Sequence, residues 1–122
     1  MPKPTVKLAK VRTADYRLAL YPDEKDHTTV CYLPVYEGEN IIGSAENCHI
    51  QICYPEISEK HAKIIQENTE HTIEDLENSQ GLYIEISNSY RQQMKKSLKY
   101  KFYPGTSCYL ANKYKIRLEK IP

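Results

Sequence analysis

One-for-one alternation of apolar and polar side chains is the feature that most constrains the fold of this chain. It runs through short segments such as 16–20, 62–66 and 114–118, whereas apolar positions spaced three and four apart, as in a helix, are rare. A period of two puts one set of side chains on one face of a strand. Turn-forming residues separate the segments, and 11 Tyr add β preference. About ten short strands at this spacing predict an all-β sandwich or barrel.

The alternating segments locate the individual strands. We expect strands at 16–20, 30–36, 41–42, 49–52, 62–66, 72–76, 82–84, 107–110 and 114–118, with the last two forming a hairpin. Turns are expected at 21–23, 37–40, 67–70, 78–81 and 103–105. Met94 and Leu98 lie four apart, so residues 89–99 fit either a short helix or a hairpin with 100–102. Residues 1–9 are expected to be a flexible amino-terminal end, and 10–122 a single domain.

Length and composition exclude several classes of protein. A chain of 122 residues is the size of one ordinary domain. The net charge of +1, with 40% hydrophobic and 27% charged residues, is typical of a globular chain rather than a disordered one. No apolar run approaches the roughly 18–20 residues that span a bilayer. The first residues lack the apolar stretch of a secretory signal, so we expect an intracellular protein that does not bind membranes.

Charge is distributed unevenly along the chain. Residues 37–85 contain eleven acidic and two basic residues, a net charge of −9, whereas 86–122 contain nine basic residues and one acidic, a net charge of +8. Such asymmetry occurs in nucleic-acid-binding proteins, so a nucleic-acid or scaffold contact through the basic 91–120 segment is one alternative. However, Lys113, Lys115 and Arg117 alternate with apolar residues, as on the solvated side of a strand. We therefore favour the interpretation that the acidic and basic segments neutralise each other in the fold.

The residues that could carry catalytic or metal chemistry are few and scattered. Cys48, His49 and Cys53, with His61 nearby, have the residue types of a zinc site, but the cysteine spacing and the lack of a second pair disfavour one. The four glycines are too far apart to form a phosphate-binding loop. Ser58 and His61 lack a recognisable third group and an oxyanion hole. The sequence therefore predicts a protein that is not an enzyme and uses no metal or cofactor.

Four pieces of the segment from Glu39 to Ile84 occur in a distinctive order and spacing. They are NIIG at 40–43, CHIQI at 48–52, ISEKHAKI at 57–64 and TIEDLENSQGLYI at 72–84, followed by YPG at 103–105 and two strands. This arrangement resembles the signature of the forkhead-associated (FHA) domain. The resemblance implies a β-sandwich of about eleven strands in two sheets, with recognition loops at one end. It also implies a non-catalytic module that typically binds phosphothreonine peptides.

The resemblance assigns roles to individual loop residues. Gly43 corresponds to the glycine of a tight loop, His61 to the histidine that braces the serine loop, and Gly81 to a second loop glycine. Ser58 corresponds to the phosphate-contacting serine, and Gln80 to an asparagine that clamps the peptide backbone. The full set of candidate peptide- or phosphate-binding residues is Ser44, Ser58, Glu59, Lys60, Ser79 and Gln80.

Two departures from the family pattern change the expected ligand. Ser44 stands where phosphate-reading members have an arginine, and serine cannot replace the charged, planar guanidinium. Glu59 stands where the family often has a polar or basic residue aimed at the ligand, and a carboxylate there repels phosphate. Alternation further indicates that Glu59 and Lys60 cannot both point at one ligand. We therefore expect weak or no phosphothreonine dependence; the alternative is a functional phosphothreonine-binding domain that uses Ser58, Lys60 and Gln80.

The resemblance also concerns partners and cellular location. The expected partner is a protein or peptide, phosphorylated on threonine under the alternative above, whereas nucleic acid is not favoured. Many FHA domains belong to DNA-repair, transcription and chromosome proteins. The resemblance therefore implies an intracellular protein, located in the nucleus rather than the cytoplasm.

Overall fold

The structure is a computed structural model that describes residues 13–122 except 24, 27, 88 and 89. The amino-terminal end predicted at 1–9 lies outside the described residues. Eleven strands make up the regular structure of the described ranges, and no helix occurs in them. Consequently, none of these residues forms a helix that could cross a membrane. The strands are β1 (Tyr16–Tyr21), β2 (Cys31–Val35), β3 (Gly38–Gly43), β4 (Ile50–Gln51), β5 (Ala62–Glu67), β6 (Glu70–Asp75), β7 (Leu82–Ser87), β8 (Tyr90–Gln93), β9 (Lys99–Lys101), β10 (Ser107–Leu110) and β11 (Tyr114–Lys120).

The strands form two sheets, which confirms the predicted all-β sandwich. One sheet has six strands in the order β2-β1-β11-β10-β7-β8, and the other has five in the order β4-β3-β5-β6-β9. All pairings are antiparallel except that of β3 with the short β4, which is parallel.

The core contains the apolar residues that the alternation places on the inner faces. In the six-stranded sheet, Leu18 of β1 lies opposite Leu118 of β11. In the five-stranded sheet, Ile64 of β5 lies opposite Ile73 of β6. All four side chains are fully buried, and burial of each contributes roughly 1.5–3 kcal/mol. Hydrophobic burial therefore fixes which face of each strand points inward.

The turn predicted at 37–40 is shorter than expected, because β3 already begins at Gly38. Asn40 lies inside the strand and is buried. Its side-chain Nδ2 donates to the carbonyls of Tyr36 at 2.8 Å and Ile64 at 3.3 Å, and its Oδ1 accepts from the Tyr36 amide at 3.0 Å. These hydrogen bonds satisfy the polar groups of Asn40, so a residue that usually favours turns occupies an inner strand position.

Residues 90–102 form neither the helix nor the hairpin that the sequence allows for 89–102. β8 pairs with β7 in one sheet and β9 pairs with β6 in the other, so the segment crosses between the sheets. Met94 is buried and its amide donates to the Leu82 carbonyl at 2.8 Å, whereas Leu98 is 48% exposed. The four-residue spacing of Met94 and Leu98 is therefore not a shared helix face.

Three connecting loops meet at one end of the sandwich, which we call the loop end. They are residues 44–49 after β3, 52–61 before β5 and 76–81 between β6 and β7. The amides of Ser44 and Ala45 donate to the carbonyls of Ser58 and Glu59 at 3.0 and 3.2 Å. These contacts join the first two loops, and the contacts of Ser58 described below join the third.

Candidate peptide-binding site at the loop end

His61 connects the loops from inside the fold. Its ring is fully buried; Nδ1 accepts from the Ser58 amide at 3.2 Å, and Nε2 lies 2.7 Å from the Gly81 carbonyl oxygen. Because the Ser58 amide can only donate, Nδ1 is unprotonated and Nε2 carries the hydrogen. Burial lowers the pKa of His61 from its ordinary value, which keeps the ring neutral. The same Gly81 carbonyl also accepts from the Ala111 amide at 2.8 Å.

Ser58 lies where the second and third loops meet. Its Oγ accepts a hydrogen bond from the main-chain amide of Gln80 at 3.0 Å. The main chain of Gln80 therefore holds the Ser58 hydroxyl at this end of the sandwich. Ser44 adjoins Ser58 through its main-chain amide.

Gly43 permits a close approach between the first two loops. A Cβ at this position would lie 2.1 Å from the carbonyl oxygen of Glu59, far inside contact distance. That oxygen also accepts from the Ala45 amide at 3.2 Å and from the Cys48 thiol at 3.1 Å. Any side chain at position 43 would therefore displace the backbone of Glu59 from its donors.

An ionic cluster around a buried carboxylate holds the third loop, and we call its members, Asp75, Ser79 and Lys96, the Lys96 clamp. Asp75 is fully buried at the end of β6. The Ser79 hydroxyl donates to Asp75 Oδ1 and accepts from the Gly81 amide at 3.0 Å. Lys96 Nζ donates to Ser79 Oγ at 2.7 Å and to the Ser79 carbonyl at 2.8 Å.

The ion pair in the clamp neutralises the remaining oxygen of Asp75. Within the described residues Asp75 Oδ2 accepts no hydrogen bond, but it lies 3.2 Å from Lys96 Nζ. A buried carboxylate without a cation would be costly, so this proximity matters more than the missing hydrogen bond. Lys96 and Asp75 belong to the basic and acidic segments, as do Lys113 and Glu56, whose charged groups are 3.5 Å apart.

An open groove of about 660 Å³ lies at the loop end. Its walls come from all three loops: Ala45, Asn47, Ser58, Glu59, Lys60, Leu76, Glu77 and Asn78. Glu59 and Lys60 both line it, and the expectation from alternation that they cannot both point at one ligand stays a prediction. Residues 52–61 contain no regular strand, and the period of two does not apply there.

The structure places the predicted site residues in three groups. Ser58, Glu59 and Lys60 line the groove. Ser44 and Gln80 adjoin it through main-chain hydrogen bonds to Ser58. Ser79 belongs to the clamp, where its hydroxyl bonds within the protein.

Sequence reasoning did not find Asn47, Glu77, Asn78 or Lys96. The first three are loop residues of common surface types, without a distinctive spacing. Lys96 lies 17 positions after Ser79, and no local pattern connects them. Only the crossing of the chain between the sheets brings Lys96 to the loop end.

The residues considered for zinc have other contacts. Among the residues that the structure describes, no three His, Cys, Asp or Glu side chains are grouped so that they could hold a metal ion. His49 Nδ1 accepts from the Ile41 amide at 2.9 Å, and the Cys48 thiol donates to Glu59.

Several cations of the basic 91–120 segment have partners within the protein. Arg91 lies over the Tyr109 ring at 3.4 Å and donates to the Asn112 carbonyl at 3.1 Å. Lys96 belongs to the clamp, and Lys113 pairs with Glu56. These contacts do not favour the nucleic-acid alternative, which stays a prediction.

Two-sheet sandwiches with loops gathered at one end include many protein-interaction modules. The chain belongs to the FHA-domain family, whose family model matches residues 40–103. FHA domains usually bind phosphothreonine peptides. No curated protein matches this sequence.

Solved structures of FHA domains have the same fold. The FHA domain of CT664 from Chlamydia trachomatis is 19% identical with a TM-score of 0.68, and the match covers 88% of this chain and 98% of that one. The MEK1 FHA domain is 16% identical with a TM-score of 0.67, covering 88% of this chain and 91% of that one. The FhaA FHA domain, solved in complex with the intracellular domain of Rv3910, is 21% identical with a TM-score of 0.63, covering 85% and 99%.

Proposed function

We propose that this FHA domain binds its protein partner in the loop-end groove with weak or no dependence on phosphothreonine. The observation that carries the proposal is the charge of the groove wall. Among the described residues that line it, Glu59 and Glu77 are acidic and Lys60 alone is cationic. A phosphothreonine brings about −1.5 to −2 charges, so it needs converging donors and cations.

The size of the repulsion supports this interpretation. A phosphate dianion about 5 Å from one carboxylate costs roughly 2 kcal/mol in bulk water, and more where the groove excludes water. One ammonium at Lys60 offsets at most one of the two carboxylates. Position 44, where phosphate-reading FHA domains have an arginine, supplies only the hydroxyl of Ser44.

Lys96 does not supply the missing cation. Its ammonium contacts Asp75, both oxygens of Ser79 and, at 3.4 Å, the Leu76 carbonyl. An ammonium has three hydrogens to donate, and the three oxygens of Ser79 and Leu76 accept them, while Asp75 contributes the ion pair. The charge of Lys96 thus stabilises the fold and is not available to a ligand.

Matched peptide libraries test the proposal. The purified chain is titrated with phosphothreonine and threonine versions of one peptide library, and the expected affinities differ by less than about threefold. Micromolar or tighter binding of phosphorylated peptides alone, abolished by Ser58→Ala, would instead establish the phosphothreonine-binding alternative that uses Ser58, Lys60 and Gln80.

A gain-of-function variant sharpens the comparison. Ser44→Arg restores the guanidinium and is expected to raise the preference for phosphorylated peptides about tenfold, since hydrogen bonds between charged groups contribute roughly 1.5–3 kcal/mol. Ser87→Arg is the matched control, because Ser87 is exposed at the end of β7, outside the three loops. It adds the same charge and should leave the preference unchanged.

The location is a further proposal. We expect an intracellular protein, concentrated in the nucleus, from the resemblance alone. Imaging of a fluorescently tagged full-length chain tests it, and exclusion of the tag from the nucleus would contradict it.

A further inference from the structure

The two carboxylates of the groove come from different loops and lack internal partners. Glu59 belongs to residues 52–61 and Glu77 to residues 76–81, and both are exposed. Within the described ranges neither forms an ion pair or a side-chain hydrogen bond, whereas Glu56 and Glu119 have cationic partners at 3.5 and 3.1 Å. Lys60 on the same wall offsets at most one of these two negative charges, so the protein does not neutralise both.

The groove also has the shape and polar groups for an extended chain. A volume of about 660 Å³ lies within the range typical of ligand sites, and the groove is open to solvent. Asn47 and Asn78 line it, and each carboxamide can both donate to and accept from a peptide backbone. Leu76 and Ala45 supply the apolar part of the wall.

The walls are held in place before any ligand arrives. Gly43 lets the Glu59 backbone approach the first loop, and the Lys96 clamp fixes the loop that carries Glu77. The Ser58–Gln80 hydrogen bond joins these two walls. Ordered loops that carry two acidic side chains without internal partners favour a cationic group, because little ordering of the backbone is needed on binding.

We propose that the groove takes an extended peptide segment whose lysine or arginine side chain lies between Glu59 and Glu77. This inference rests on the proposed function, since it concerns the same groove, and it names the chemistry of the partner. The groove selects for positive charge where a phosphothreonine site selects for negative charge. Lys60, on the same wall, disfavours a second positive charge next to the first.

Peptide libraries with one fixed central residue test the proposal directly. Three libraries of extended decapeptides carry arginine, citrulline or glutamate at the fixed position, and citrulline keeps the shape of arginine without its charge. By fluorescence anisotropy we expect the purified chain to bind the arginine library about tenfold more tightly than the citrulline library, and the glutamate library least. The preference should shrink when salt is raised from about 50 to 500 mM.

Variants of the groove assign the preference to its carboxylates. The double variant Glu59→Gln/Glu77→Gln should remove most of the preference for arginine over citrulline while leaving the citrulline affinity within about twofold. Glu67→Gln is the matched control, because Glu67 is exposed at the end of β5, outside the groove.

The outcomes separate this inference from the proposed function. Equal binding of the three libraries, including no binding of any, overturns the inference, as does a preference that survives the double variant. Binding of threonine and phosphothreonine peptides with equal affinity would still support the proposed function in that case. Phosphate-dependent binding that requires Ser58 would overturn both.

Discussion

Substitution of Lys96 tests whether the clamp holds the loop end together. Lys96→Met keeps most of the aliphatic volume but leaves the fully buried Asp75 carboxylate without a cation. Loss of one partner of a buried ion pair typically costs 3–5 kcal/mol. The Lys96 side chain is 34% exposed, so water can reach part of the vacated space, and we expect about 2–3 kcal/mol.

The expected loss is large enough to measure by thermal or urea unfolding. For a domain of this size, 1 kcal/mol corresponds to roughly 4 °C in Tm, so Lys96→Met should lower Tm by about 8–12 °C. Lys95→Met is the matched control: Lys95 is the exposed neighbour outside the clamp, and its loss should change the free energy of unfolding by less than about 0.5 kcal/mol.

A double variant shows whether the loss comes from the charge of Asp75. Asp75→Asn in the Lys96→Met background removes the unpaired charge, so the two substitutions together should cost at least about 1 kcal/mol less than their sum. Strict additivity, or a Lys96→Met variant as stable as Lys95→Met, would refute the assignment of the ion pair.

Three further predictions concern the loop end and the core. Burial lowers the pKa of His61, whereas in the unfolded chain the ring titrates near 6.5; the free energy of unfolding should therefore fall as pH drops below about 6.5. Urea unfolding from pH 7.5 to 5 should show a shallower slope for His61→Gln than for the wild type, and equal slopes would contradict the prediction. Gly43→Ala places a Cβ against the Glu59 carbonyl and should cost about 2 kcal/mol or more in urea unfolding, which an unchanged midpoint would disprove. Burial raises the pKa of the Cys108 thiol to about 12, so native protein at pH 8 should react with a thiol reagent at exposed Cys31 and not at Cys108 until urea is added.

The sequence predicts strands well where one face of a strand is buried. β5, β6 and β11 follow the alternation, because their inner side chains are buried and their outer ones are at least partly exposed, whereas in β1 the outward Ala19 is also fully buried. β8 and β9 lie at opposite sheet edges and are mostly exposed, so their residues carry no such pattern. The burial of Asn40 could not be predicted for another reason: its side chain also hydrogen-bonds to the Ile64 carbonyl, which lies 24 positions away in the sequence.

At the loop end, too, residues that belong to a local sequence motif could be predicted, whereas residues brought in from elsewhere in the chain could not. The motif spacing identifies Ser58, His61 and Gly81, which are joined by hydrogen bonds through the His61 ring, and Gly43, which lies against the Glu59 backbone. Lys96 cannot be inferred in this way, because its role exists only after the chain has crossed between the sheets. The charge of a groove is likewise a property of several loops together.

The two hydrogen bonds that the Gly81 carbonyl accepts determine how this end of the sandwich can open. The carbonyl accepts from His61, which precedes a strand of one sheet, and from Ala111, which follows a strand of the other. Separation of the two layers at this end must break the hydrogen bond from His61, whereas the hydrogen bond from Ala111 joins the start of β7 to the end of β10 within the six-stranded sheet. The Ala111 amide should therefore exchange with solvent deuterium together with β7 and β10 as one cooperative unit, and not by independent local fraying.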